Sequence, residues 1–203
     1  MDSLLKNTIK NLSNNGFEVE FFENVDEAKR KILEYIQINE DIGIGGSMTV
    51  HDIKLYEELK NRGNKVYWHW LVDPKDRNKE RQKAGKADVY ICSTNSITED
   101  GKLINIDGVG NRVASMFYGH EKIIIIAGVN KIHKDEKDAI KRIKDIACPQ
   151  NAKRLNLDTP CRHTGKCNDC NSPHRMCRVT VTIERNPMQS NIKIYLINKE
   201  LGY

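Results

Sequence analysis

The run Lys122-Ile123-Ile124-Ile125-Ile126-Ala127-Gly128 settles the architecture. A strand with one wet face alternates apolar and polar residues, whereas four successive isoleucines leave neither face for water. Their β-branched side chains also suit a pleated surface better than a helix. Such a strand belongs inside a parallel sheet that carries helices above and below.

The flanking sequence supplies those helices and the remaining strands. Residues 2–14 place Leu5, Ile9 and Leu12 on one helical face, and GFEVEFF at 16–22 alternates as a strand. Asn24 is placed to cap a helix with the stripe Val25, Ala28, Ile32, Leu33 and Ile36. DIGIGG at 41–46 is a short buried strand. Ser47 or Thr49 can cap the next helix, which runs through Ile53, Tyr56 and Leu59 to Gly63. KVYWHWL at 65–71 reads as a strand whose two tryptophans pack in the core, 76–86 as a solvated helix and ADVYICS at 87–93 as a strand. KLINID at 102–107, the helix GNRVASMFYG at 110–119 and an amphipathic helix over 134–146 follow, with RVTVTIE and KIYLIN as late strands. Strands separated by helices give an α/β class, a Rossmann-like and mostly parallel sheet with helices on both faces. Residues 1–203 read as one domain, interrupted at 148–178 by a cysteine-rich segment with no period.

The chain has 203 residues, with 33 Lys and Arg against 28 Asp and Glu, and the two signs are interleaved over most of its length. Nucleic-acid binding calls for a denser basic face, so no nucleic-acid partner is expected. The longest apolar stretch, 123–129, is far short of the roughly 20 residues of a membrane span, and the N-terminus lacks a signal-peptide core. A cytoplasmic protein is expected, with no membrane partner; the oligomeric state is left open.

Five of the six cysteines lie between Cys148 and Cys177. In a reducing compartment this density points to a metal or cluster instead of disulfides. The pattern is Cys161-x5-Cys167-x2-Cys170-x6-Cys177, with Cys148 as the alternate ligand and Cys92 a core residue. A C-x2-C turn directs both sulfurs inward, and two outer cysteines complete a four-sulfur shell. The irregular spacing, with Arg162, Lys166 and Arg175 nearby as donors to sulfur, favours a 4Fe–4S cluster. Zinc is the alternative, with His163 and His174 available to its shell.

Two further segments can bind an anion. GIGGSMT joins a strand to a helix, so Gly45 and Gly46 allow close backbone approach while Ser47 and Thr49 offer hydroxyls; a plain tight turn with a cap explains the same residues. TNSITEDG leaves the sheet where ligands of parallel sheets sit, so Asn95, with Asn111, Arg112 and Lys131, can receive an anionic small molecule. Glu99 is the candidate base or nucleophile, unless Glu99-Asp100-Gly101 is only a hairpin turn.

GIGGSMT, TNSITEDGKLINIDGVGNR, IIIIAGVNKI, PQNAKRL, TPC, CNDC, RMC and the terminal LGY together resemble the lactate-utilisation (LUD) domain family, in its single-domain cysteine-bearing branch, over nearly the whole chain. The resemblance implies a fold of the ribose-5-phosphate isomerase and CoA-transferase type. It also implies lactate or hydroxy-acid utilisation beside a flavin or iron–sulfur partner subunit. The Glu99 turn is similar to the one that carries the nucleophile in CoA-transferase relatives. Against this stand two other functions: a transferase, ligase or isomerase with a structural metal, and a redox-sensing module.

Overall fold

The computed structural model describes residues 2–203. In chain order the elements are α1 (Ser3–Asn14), β1 (Glu18–Phe22), α2 (Val25–Tyr35), β2 (Ile42–Ile44), α3 (Met48–Asp52), α4 (Leu55–Asn61), β3 (Val66–Trp68), α5 (Arg77–Ala84), β4 (Val89–Cys92), β5 (Ser96–Thr98), β6 (Leu103–Asp107), α6 (Asn111–Ser115), β7 (Lys122–Gly128), β8 (Ile132–His133), α7 (Glu136–Arg142), α8 (Cys148–Arg154), α9 (Pro160–Thr164), β9 (Val179–Ile183) and β10 (Ile192–Ile197). Among the described residues no helix is long and apolar enough to cross a membrane.

Six strands form an all-parallel sheet in the order β1-β10-β7-β4-β2-β3. The isoleucine strand β7 lies between β10 and β4, and its alternate side chains enter two different cores. Ile124 and Ile126 share one with Ala28, Ile32, Val50 and Leu59; Ile123, Ile125 and Ala127 share the other with Leu12, Ala84, Val113 and Met116. All five residues are fully buried, and each isoleucine removed from water contributes about 2 kcal/mol.

A second sheet, not expected from the sequence, has the order β8-β5-β6-β9 with antiparallel β5–β6 and β6–β9 pairs. KLINID and RVTVTIE therefore belong to a small mixed sheet beside the parallel one. The two meet through α1, which holds the β5–β6 turn: Asn11 Nδ2 donates to the Glu99 carbonyl, and Asn15 Nδ2 to the carbonyls of Asp100 and Gly101.

Other boundaries shift for local reasons. The 48–61 helix is broken in two at Lys54, which sits at φ 55°. The strand over 65–71 stops at Trp68, and His69 and Trp70 turn away from the sheet. The helix expected over 134–146 continues through a π-helical turn, Ile143–Ala147, directly into α8. Cys148 therefore opens α8 and is itself buried, and Pro149 is tolerated in the first turn, where an N–H partner is not needed. Residues 165–178 remain without regular structure.

Candidate functional site

The carboxyl ends of β2, β3, β4 and β7 open together on one edge of the parallel sheet, where ligands sit in folds of this type. A cavity of about 500 Å³ lies there, a volume suited to a small molecule. Gly46, Ser47 and Thr49 follow β2, His69 and Trp70 follow β3, Ser93, Thr94 and Asn95 follow β4, and Lys131 follows β7. From the other side come the Asp107–Arg112 loop and α8, while Tyr203 of the C-terminal LGY reaches the wall. Asn130 anchors that tail: its Oδ1 accepts from the Leu201 N–H and its Nδ2 donates to the Leu201 carbonyl.

Among the described residues four arginines line the cavity, Arg77, Arg81, Arg112 and Arg154, together with Lys131, against one carboxylate, Asp107. That carboxylate is already matched, because its Oδ2 is 3.2 Å from Arg112 Nε. The remaining field is positive and suits an anion. The Arg154 guanidinium carbon sits over Trp70, 4.2 Å from the ring centroid, and Trp70 stacks on buried Trp68, so one tryptophan is core and the other is wall.

Arg112 has a different role from the one expected. Besides Asp107 it donates from Nη1 to the Ser93 carbonyl and Asn105 Oδ1, and from Nη2 to Asn95 Oδ1 and the Ile106 carbonyl. Its donors are taken up in holding the two sheets together. Asn95 Oδ1 also accepts from the Ile106 N–H, which leaves the Asn95 NH₂, unpaired among the described residues, as its end at the cavity. Gly45 lies behind the wall: a Cβ there would come within 2.9 Å of Tyr90 Oη and 3.2 Å of Arg112 Cγ. Ser47 Oγ caps α3 at the Val50 N–H, and Thr49 Oγ1 donates to the Leu201 carbonyl. Asn111 lines the cavity with no side-chain hydrogen bond among the described residues.

Lys131 is 3% exposed, with no hydrogen bond or ion pair among the described residues. Burial first, then Arg142 and Arg112, push its amine down to about 7, with Asp52 acting weakly the other way. Burial and the charges of Arg81, Arg77 and Arg154 likewise hold His69 at about 4, so its imidazole is neutral at ordinary pH.

Glu99 is placed elsewhere. Its Oε1 accepts from Asn7 Nδ2 at 2.8 Å, on the α1 side of the hairpin and away from the cavity lining. The turn reading of Glu99-Asp100-Gly101 describes its surroundings: Gly101 has φ +83°, and its Cα lies so close to α1 that a Cβ would come within 2.6 Å of the Asn11 backbone.

The model of the LUD domain family matches residues 5–197. The chain belongs to the LUD domain family. A DUF162 family protein from Deinococcus radiodurans shares its fold, with a TM-score of 0.55 and 7% identity over 96% of each chain. No curated protein matches the sequence.

In this LUD domain the cysteine segment borders the cavity, and Cys148 and Cys177 line it. Cys161, Cys167, Cys170 and Cys177 are partly exposed, whereas Cys148 and Cys92 are buried. Burial and the neighbouring Cys177, Cys167 and Cys161 push the Cys148 thiol up to about 12. In the Cys167–Cys170 turn Asp169 adopts φ 43°, and its N–H points at Cys167 Sγ, 3.5 Å away. The cationic donors expected to face sulfur are used otherwise: Arg175 donates to the carbonyls of Cys177 and Cys170 and to Asp169, and Arg162 to the Asn156 carbonyl.

Among the described residues, no three His, Cys, Asp or Glu side chains are gathered closely enough to hold one metal ion. Tetrahedral zinc with bonds of about 2.3 Å draws its sulfurs to about 4 Å of one another. A 4Fe–4S cluster spreads its cysteines over several irons and accommodates a wider ring. The donor set on this segment is four partly exposed thiols, with a backbone amide on Cys167 Sγ.

Arg77, Arg81, Arg154, His69 and Trp70 were not expected at the site from the sequence. Arg77 and Arg81 are four residues apart on one face of α5, a spacing that was legible, but their direction was not.

Proposed function

We propose that this LUD domain binds a small carboxylate in its cationic cavity and carries a 4Fe–4S cluster on Cys161, Cys167, Cys170 and Cys177, with Cys148 as the alternate ligand. Its work is the handling of lactate or a related hydroxy acid. The observation that carries this reading is the common wall: Cys177 and Cys148 border the cavity that Lys131, Arg81 and the Asn95 amide also face. A cluster held there would supply one-electron transfer. The chain's own residues bind and orient the anion: Arg77, Arg81 and Arg154 provide the field, Asn95 and Asn111 provide neutral donors, and Arg112 with Asp107 fixes the loops that carry them. A flavin or iron–sulfur partner subunit would take up the electrons that such a cluster supplied. Residues 1–203 act as one unit, with 148–178 as its cysteine-bearing insertion.

Iron and acid-labile sulfide analysis of anaerobically purified protein, with calorimetric titration by L-lactate and pyruvate, tests this function. A brown protein with broad absorbance near ~400 nm that Cys170→Ala loses and Cys148→Ala keeps is expected, together with binding of at least one acid. A colourless protein with stoichiometric zinc, or one that binds neither acid, overturns it.

A further inference from the structure

We propose that Lys131 is a nucleophilic amine that captures the carbonyl carbon of a small oxo acid as an imine inside the cavity. The inference rests on the carboxylate site proposed above and adds a covalent step to it. Three features set this lysine apart. It is buried to 3% exposure at the carboxyl end of the central strand, it lines the cavity, and it has no hydrogen-bond or ion-pair partner among the described residues. A lysine kept only for its charge would be expected beside a carboxylate. Among the described residues the charged groups that face this one are Arg112 from α6 and Arg142 from α7, with Asp52 of α3 as the opposing charge; His133 of β8, which burial and then Arg142 push below the ordinary histidine value, adds a neutral imidazole. Cationic neighbours and desolvation both favour the neutral amine, the form that attacks carbonyls. Its amine is accordingly held at about 7, far below an ordinary lysine.

The same surroundings select the substrate. Arg77, Arg81 and Arg154 draw a carboxylate into the cavity, so a carbonyl attached to that carboxylate is carried towards Lys131. Attack forms the Nζ–C bond and moves one amine proton to the carbonyl oxygen. Cleavage of the C–O bond then releases that oxygen as water with the second amine proton and leaves the C=N bond, so atoms and charge balance without an oxidant or reductant. The captured acid is the oxidised partner of a hydroxy acid, which connects the step to the proposed function.

Borohydride trapping tests it. Protein is incubated with pyruvate at pH 7.5, reduced, and read by intact mass and peptide mapping, with calorimetric titration by pyruvate in parallel. The expected result is one reduced adduct mapping to Lys131, at least ten-fold weaker in Lys131→Met and in Lys131→Arg. Circular dichroism checks that both variants are folded, so that loss of the adduct reads the missing amine. Binding of pyruvate without an adduct at Lys131 overturns the imine and leaves the carboxylate site standing. Absence of both binding and adduct overturns the two together.

Discussion

Arg112 and Lys131 face the same cavity and differ in what surrounds them. Arg112 is paired on every side, with Asp107, Asn105 and Asn95 and two backbone carbonyls, whereas Lys131 stands among other cations. Removing one partner of a buried pair leaves the other charge unmatched, so Arg112→Met should cost about 3–5 kcal/mol in chemical denaturation. Arg112→Lys should recover little of it, because an ammonium cannot span the same fork of acceptors. Lys131 acts in the opposite sense. Folding lowers its affinity for a proton, so over the range from about 7 to about 10 the unfolded chain binds more protons and stability rises with pH. Every tenfold loss of proton affinity on folding corresponds to about 1.4 kcal/mol. Lys131→Met should therefore be more stable than the parent at pH 7, by a few kcal/mol in urea, and that margin should shrink by pH 10. A margin independent of pH would refute the burial account of this lysine. Residue types announced both side chains in the sequence, but only contacts separate a structural arginine from an unpartnered lysine.

At the scale of elements, Gly101 shows how the small mixed sheet is held. The β5–β6 turn needs a positive φ there, and α1 packs where a side chain would begin. Gly101→Ala combines backbone strain with a clash against α1, so it should lower stability by about 2 kcal/mol or more in thermal unfolding. An unchanged Tm would mean that α1 and the turn are not packed as described. Glu99→Gln alters a side chain that faces α1 and not the cavity, so it should leave anion binding within about two-fold of the parent by calorimetry. The parallel strands were legible because their apolar runs are long and uninterrupted, as in β7. The mixed sheet was not, since β5 has three residues and β8 two, too few to show a period. Helix α8 was hidden for another reason: Pro149 and Cys148 look like a break, yet both fit a first helical turn. The basic helix α5 shows the limit of charge patterns, because a run of Arg and Lys reads as solvated whether it faces bulk water or a cavity mouth.

Across the whole molecule, the parallel sheet gathers four strand ends, the mixed sheet and α8 close over them, and the cysteine segment borders the result. Four arginines against one paired carboxylate make the cavity a focus of positive potential. Carboxylate affinity should fall as salt is raised from about 0.05 to about 0.5 M, and a salt-independent affinity would assign binding to neutral donors alone. An anion site and a cluster that shared this wall, as proposed, would sense one another. Electron paramagnetic resonance of the anaerobically purified, dithionite-reduced protein, titrated with pyruvate, reads that coupling. An iron–sulfur signal whose g values shift as the cavity fills is expected; no iron–sulfur signal, or one unchanged while calorimetry shows pyruvate bound, would refute the shared wall.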